Sequence, residues 1–165
     1  MDLIAGLTSD TVAGFEETLR KVIALAPENI TVHTLSLKKG SRITLEGSVL
    51  PTAAEVGRML DIAGAALRES GYSPYYLYRQ KFMSGGFENV GWTMDGYINL
   101  YNVCIMEELC SIIAVGGGGS TKLVSAGSGR NIRLFAPKYP TEYISGIEKT
   151  CSDKQGIIDF YRKVK

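Results

Sequence analysis

The sequence predicts an α/β fold, in which a strand–helix–strand unit is followed by a mixed α+β region. Residues 2–7 form a short apolar run that ends in a glycine-containing turn, which is typical of a buried strand. Residues 30–35 are rich in β-branched side chains and predict a second strand. A helix of suitable length separates them, so the two strands should be parallel and joined by a right-handed crossover.

The first helix is predicted from an apolar stripe that follows a group of capping residues. Residues 8–11 are Thr, Ser, Asp and Thr, which favour the N-cap position. Pro27 should end the helix, because the residue before a proline avoids the helical region. The stripe consists of Phe15, Leu19, Val22 and Ile23.

The second helix is predicted from Thr52 and Glu55, whose spacing is that of a capping box. Gly71 is the predicted C-cap. The apolar stripe between these ends consists of Val56, Leu60, Ala63 and Leu67.

The second half of the chain changes character. Residues 75–82 are aromatic and strand-prone, residues 84–86 predict a turn, and residues 87–92 predict a returning strand. We therefore expect one region at 1–72 and a separate α+β region at 73–165. Residues 101–110 fit a helix or a strand, and we favour the helix. The later expected elements are strands at 111–115, 121–126 and 131–135, and two short helices after Pro140 that are broken near 150–153.

Composition narrows the function classes. The chain has 165 residues with 18 Lys and Arg against 17 Asp and Glu, which argues against a general nucleic-acid binder. The sequence has no apolar run of the roughly 20 residues that span a bilayer, and the amino terminus has no basic segment typical of a signal peptide. We therefore expect a cytoplasmic protein with no membrane partner. Three scattered cysteines indicate free thiols, most simply as small buried hydrophobic residues.

Asp2 is the first candidate for a site residue. It lies on the first predicted strand, and ligands of open α/β sheets bind near the carboxyl edge of the strands. A carboxylate there could bind a hydroxyl or amine of a ligand. The alternative interpretation is a frayed terminal residue.

Four consecutive glycines at 116–119 follow a predicted strand. Because glycine has no Cβ, their amides could approach a phosphate or nucleoside closely. The spacing matches neither a dinucleotide-binding fingerprint nor a P-loop. A flexible turn between strands is the equally open alternative.

Basic side chains suggest a pocket for a polycarboxylate. Arg79 and Lys81 alternate along a predicted strand, so they should share a face, and Lys38, Lys39 and Arg42 could join them. A solvated strand face is the alternative, and a face that stacks single-stranded RNA is a second one. The sole histidine, His33, has no neighbouring nucleophile in sequence and is interpreted as structural.

Several segments together resemble the oxygen-independent coproporphyrinogen III oxidase family, in particular its divergent bacterial branch. The resemblance covers nearly the whole chain, and the Tyr-Arg-Gln-Lys and Glu-Asn-Val-Gly segments are its most specific parts. The matching segments are residues 2–7, 27–35, 37–42, 75–81, 88–92 and 106–108.

The resemblance implies a piece of a partial (β/α) radical-SAM barrel, followed by a family-specific α+β region. Members bind a [4Fe–4S] cluster through a Cys-x-x-x-Cys-x-x-Cys motif in their amino-terminal half. A radical made from S-adenosyl-L-methionine starts the oxidative decarboxylation of two propionates of coproporphyrinogen III, giving protoporphyrinogen IX. The cluster motif is absent from this chain.

The resemblance also implies roles for individual residues. Asp2 matches a carboxylate that contacts S-adenosyl-L-methionine, and Ser36 matches a backbone contact. Gly116, Gly117 and Ser120 fall in the region that matches a third contact. The family motif does not assign the substrate-binding residues; our suggestions are Lys38, Arg42, Arg79 and Lys81.

Two departures from the family pattern matter. Thr8 replaces the proline of a Gly-Leu-Pro turn, and every cluster ligand is missing. We therefore expect the chain either to be an excised fragment or to work with a separate partner chain, and the missing partner is the cluster-bearing amino-terminal half. Alone, the chain should be inactive and should self-associate or rearrange to cover its apolar faces. The alternatives are a haem-binding chaperone related to this family and a nucleic-acid-binding α/β module.

Overall fold

The chain forms two compact units, Met1–Leu100 and Tyr101–Lys165. The computed structural model describes residues 1–37, 43, 47, 49–79, 84–125 and 131–164. The division differs from the boundary at residue 72 expected from the sequence. The reason is that residues 73–93 form two strands that pair within the first sheet instead of starting a separate region.

Among the residues that the structure describes, the first unit has four strands, two α-helices and a short 3-10 helix at Ser84–Gly86. The strands are β1 (Asp2–Ala5), β2 (Asn29–Thr34), β3 (Ser73–Tyr78) and β4 (Asn89–Thr93). The helices are α1 (Val12–Ala24) and α2 (Ala53–Glu69).

The predicted strand–helix–strand unit is confirmed, because β1 pairs with β2 in parallel, with Asp2 beside Thr31 and Ile4 beside His33. The hairpin of β3 and β4 is also confirmed as antiparallel. The order of strands is β1-β2-β4-β3, so β4 lies between β2 and β3. The sheet is therefore mixed, and the predicted α/β class is confirmed in that general form.

Both predicted helices form, and their caps explain where they begin. The Thr11 side chain accepts a hydrogen bond from the Gly14 amide at the start of α1. Thr52 and Glu55 make the reciprocal bonds of a capping box at the start of α2. The C-cap of α2 is Ser70 rather than the predicted Gly71, which follows it with a φ of 86°.

The core of the first unit lies between the two helices and one face of the sheet. Fully buried side chains of the helices meet those of the strands, and this burial is the main source of stability in such a layer. The most deeply buried members are Ala5, Phe15, Leu19, Ile30, Val32, Val56, Met59, Ala63 and Leu67.

In its described ranges, 101–125 and 131–164, the second unit has two strands and three helices, preceded by a short helix at its boundary. The short helix is α3 (Leu100–Met106), and the strands are β5 (Ser120–Val124) and β6 (Asn131–Phe135), which pair in antiparallel. The remaining helices are α4 (Pro140–Ser145), α5 (Ile147–Asp153) and α6 (Gln155–Val164).

Two predictions for this unit were wrong in detail. Residues 111–115 do not form a strand; only Ile112 makes an isolated antiparallel bridge, to Lys122. The carboxy-terminal region has three helices instead of two, because the backbone breaks at Gly146 and again at Lys154. No helix in the described ranges combines the length and the apolar character needed to cross a bilayer.

Candidate functional site

The candidate site of the first unit is the face of the sheet opposite α1 and α2. Side chains alternate along a strand, so residues out of phase with the core share this second face. It carries polar and aromatic groups from three strands, and we call it the polar sheet face. Its members are Asp2, Ile4, Thr31, His33, Tyr76 and Tyr78.

Three of these side chains form a chain of polar contacts across the sheet. His33 Nε2 lies 3.4 Å from Asp2 Oδ1, and His33 Nδ1 lies 3.2 Å from the Tyr78 hydroxyl oxygen. A carboxylate only accepts, so the tautomer with hydrogen on Nε2 suits the contact with Asp2, and in that tautomer Nδ1 accepts from the Tyr78 hydroxyl. The imidazole thus lies between an acidic group and a phenol.

A second polar contact lies beside the first. The hydroxyls of Thr31 and Tyr76 are 3.0 Å apart, and the rings of Tyr76 and Tyr78 stack with an interplanar angle of 9°. Gly91 makes this arrangement possible, because a Cβ at that position would lie 1.9 Å from Tyr76 Cε1. The absence of a Cβ at Gly91 therefore lets the Tyr76 ring pack against the sheet.

Asp2 is accessible and lies at the amino end of its strand. Its side chain is 72% exposed, so its carboxylate can accept hydrogen bonds from a ligand hydroxyl or ammonium. The expectation that it lies at the carboxyl edge was wrong, since it is the first residue of β1 and pairs with Thr31.

Ser36 lies at the other end of the strand pair. It is half-buried and follows the end of β2. It lies five positions after Thr31, the partner of Asp2. At about 3.3 Å per residue they are roughly 16 Å apart along the strand direction. A ligand that contacts both must therefore lie lengthwise on the sheet.

The glycine run of the second unit forms a tight turn. Gly116 and Gly118 have φ values of 95° and 72°, and the Gly119 amide donates to the Gly116 carbonyl at 3.2 Å. The Gly118 amide donates to the Pro137 carbonyl at 2.7 Å. Two of the four amides are thus used inside the unit, which favours the turn interpretation.

The predicted contacts of Gly116, Gly117 and Ser120 with a cofactor stay predictions. A Cβ at Gly117 would lie 3.4 Å from Tyr143 Cγ, so this glycine also accommodates a neighbouring ring. The hydroxyl of Ser120 is buried and has no hydrogen-bond partner among the described residues. Such a group favours a polar ligand atom, because an unpaired buried hydroxyl is costly.

Only one of the four suggested substrate-binding residues can be located. Arg79 is an exposed residue whose guanidinium lies 3.1 Å from Glu88 Oε1. It is thus already neutralised by an acidic neighbour, so a ligand carboxylate would have to compete with Glu88. Lys38, Arg42 and Lys81 lie outside the described residues.

In the parts of the chain that the structure describes, no three His, Cys, Asp or Glu side chains come together in a way that could hold a metal ion. The described residues therefore offer no ligand set for a cluster. Cys104 and Cys110 are neighbours, and the hydrogen bond between their thiols, with some burial, raises the pKa of Cys104.

Sequence comparison finds a curated relative in Bacillus subtilis (strain 168), the oxygen-independent coproporphyrinogen-III oxidase-like protein HemZ. The two are 40% identical over 156 residues, which is 93% of this chain and 31% of the relative. The resemblance to the oxygen-independent coproporphyrinogen III oxidase family is thereby confirmed. The matched part is a carboxy-terminal portion of HemZ. No family model matches the chain.

A solved structure shows the same fold. Coproporphyrinogen III oxidase (HemN) from Escherichia coli, described as a radical SAM enzyme, aligns with a TM-score of 0.60 and 16% identity. The alignment covers 90% of this chain and 33% of that one. This chain therefore spans about a third of the length of the relatives it matches.

The contacts of His33 with Asp2 and Tyr78 were not predicted from the sequence, which interpreted His33 as structural. The signal for these contacts is the parallel pairing of β1 with β2, in which Asp2 lies beside Thr31. It brings every second residue of each strand to one face, and therefore Asp2 and His33 together. Tyr76 and Tyr78 follow the same alternation on β3.

Proposed function

We propose that this chain is part of an oxygen-independent coproporphyrinogen III oxidase that converts propionate side chains of coproporphyrinogen III to vinyl groups. The observation that carries the proposal is the 40% identity to HemZ over 93% of the chain. The fold shared with HemN supports it independently. On this proposal, the four-stranded sheet is a portion of the wall of a partial (β/α) barrel.

The reaction removes three things from each propionate. One hydrogen atom leaves from the carbon beside the ring, the carboxylate leaves as CO2, and one electron passes to a one-electron acceptor. S-Adenosyl-L-methionine and a [4Fe–4S] cluster would supply the radical that takes the hydrogen atom. The described residues offer no ligand set for the cluster, so the cluster ligands belong to residues outside this described set.

Within this chain, Asp2 is the residue suited to contact the cofactor. Its carboxylate is exposed on the polar sheet face and can accept hydrogen bonds from ribose hydroxyls or an ammonium group. His33 lies 3.4 Å away and is itself held by Tyr78, so it fixes the direction in which the carboxylate accepts. Ser36 would contact the same ligand only if that ligand extends along β2.

The test uses the full polypeptide that carries this chain, reconstituted with its cluster under anaerobic conditions. Coproporphyrinogen III, S-adenosyl-L-methionine and a reductant are added, and the product is measured by chromatography as protoporphyrin IX after oxidation. We expect turnover in the natural protein. Asp2→Asn should raise the KM for S-adenosyl-L-methionine roughly tenfold or more, because it removes a charged acceptor.

Asp61→Asn is the matched control, since Asp61 is an exposed carboxylate on α2. It should leave KM and kcat unchanged. Stoichiometric haem binding without any decarboxylation would refute the proposed reaction in favour of a haem chaperone. Equal KM values for the Asp2 and Asp61 variants would refute the role of Asp2 alone.

A further inference from the structure

The second unit contains a cleft that is lined by its own residues. None of these residues belongs to the candidate site of the first unit. The volume of the cleft is about 720 Å³, within the range of about 300–1,000 Å³ typical of small-molecule pockets. The walls are largely apolar, and the floor is the face of the β5–β6 pair that carries Lys122. The apolar lining residues are Tyr101, Ile105, Met106, Ile112, Ile113 and Ala114.

Two cations line this cleft. Lys122 on β5 pairs directly with Arg133 on β6, so both side chains lie on the same face of the strand pair. Lys122 is only 8% exposed. Because lysine is almost never buried without a partner, this burial indicates a paired anion. A buried lysine beside an arginine creates a strong preference for an anion.

That anion is at present a side chain of the unit itself. Glu108 Oε1 lies 2.5 Å from Lys122 Nζ, and its second oxygen accepts from the Asn131 amide group. The hydrogen bonds from Lys122 and Asn131, with the charge of Arg133, hold the pKa of Glu108 below its usual value. The carboxylate therefore stays ionised in the cleft.

Glu108 is the more exposed member of this ion pair. Its side chain is 46% exposed, and its φ of 54° is a left-handed conformation that non-glycine residues rarely adopt. It lies in the turn that ends α3, where the Leu109 amide donates to the Cys104 carbonyl at 3.1 Å. A turn can move without unfolding the strands that hold Lys122 and Arg133.

We infer that this cleft binds a carboxylate-bearing edge of the tetrapyrrole, with Lys122 and Arg133 receiving a propionate in place of Glu108. The apolar walls suit the ring system, and the cation pair suits the acid group. Ser120 also lines the cleft, and its buried hydroxyl has no partner among the described residues. The inference rests on the proposed function for the identity of the ligand.

The test measures binding of coproporphyrin III, the stable oxidised tetracarboxylate, to the full polypeptide by porphyrin fluorescence. Lys122→Met should weaken binding roughly tenfold or more, because it removes a charge-assisted hydrogen bond. Glu108→Gln should tighten binding roughly two- to five-fold, because the competing carboxylate is gone. Added NaCl should weaken binding to the natural protein more than to the Lys122→Met variant.

Two further variants keep the result interpretable. Lys149→Met removes an exposed lysine of α5 outside the cleft and should leave the dissociation constant unchanged. Lys122→Arg keeps the charge and should retain most of the binding. If Lys122→Met and Lys149→Met bind coproporphyrin III equally, the inference is overturned. It is also overturned if a dansylated undecanoic acid binds in a Lys122-dependent way while coproporphyrin III does not.

The failure of this inference and the failure of the proposed function give different results. Lys122-dependent binding of coproporphyrin III without turnover of coproporphyrinogen III would support the cleft and reject the reaction. Turnover with the same substrate KM in the natural protein and in Lys122→Met would support the reaction and reject the cleft.

Discussion

The contact between Gly91 and Tyr76 gives the sharpest test of how the polar sheet face is built. In Gly91→Ala the new Cβ would lie 1.9 Å from Tyr76 Cε1 and 2.4 Å from Cδ1, so the ring must leave its position. The departure breaks the 3.0 Å contact with the Thr31 hydroxyl and the stacking on Tyr78.

The expected loss of stability follows from these contacts. The lost hydrogen bond costs about 1 kcal/mol, and the lost ring pair costs about 1 kcal/mol. Crowding adds about 1–2 kcal/mol, while alanine in a strand recovers about 0.5–1 kcal/mol relative to glycine. We expect the free energy of unfolding to fall by about 2–3.5 kcal/mol.

Urea unfolding measures this change through the fluorescence of Trp92, which is the sole tryptophan of the chain and is buried beside Gly91. The decisive comparison repeats Gly91→Ala in a Tyr76→Ala background, where the obstructing ring is absent. There the substitution should be neutral or slightly stabilising. An equal loss of stability in both backgrounds would refute the steric argument and the packing of the Tyr76 ring on Gly91.

Two further predictions concern other parts of the chain. Tyr72→Phe should lower the free energy of unfolding by about 1–2 kcal/mol, because the buried hydroxyl donates to the Pro27 carbonyl at 2.6 Å. Burial raises the pKa of Tyr72, so the natural protein should lose stability above about pH 10, as the unfolded tyrosine ionises first, and this part of the alkaline loss should vanish in the variant. Cys110→Ala should speed alkylation of Cys104 at pH 8, followed by mass spectrometry, because the pKa of Cys104 is no longer raised by the Cys110 thiol. An unchanged rate would show that burial alone protects Cys104.

The helices of the first unit could be predicted because their determinants are local. Thr11 and Thr52 cap helices within three residues of themselves, and apolar stripes at a spacing of three and four residues mark the buried side. The parallel pairing of the first two strands also followed, since a helical crossover leaves few other topologies.

The position of β4 between β2 and β3 could not be predicted. The hairpin itself is marked by its turn, but which of its strands joins β2 depends on contacts distant in sequence. The pairs of Ile30 with Trp92 and Val32 with Val90 place apolar side chains on the core face together. Many other apolar segments in the sequence would satisfy the same requirement, so the pattern alone does not select this one.

The candidate site depended on register even more strongly than the fold did. Asp2 meets His33 only because β1 pairs with β2 in a particular register, and a slip of one residue would send the histidine to the opposite face. The cation pair has the same origin, since Lys122 and Arg133 are direct partners on β5 and β6. Both arrangements consist of residue types that are common on solvated surfaces. The composition of the sequence therefore did not distinguish them from ordinary surface residues.

The two units present complementary chemistry, and this determines which ligand group each can receive. The polar sheet face offers an exposed carboxylate, at Asp2, so it favours the hydroxyl and ammonium groups of a ligand such as S-adenosyl-L-methionine. The cleft offers a buried lysine beside an arginine, so it favours carboxylates such as propionates. A single substitution in each unit therefore separates the two: Asp2→Asn should affect only the cofactor, and Lys122→Met only the tetrapyrrole.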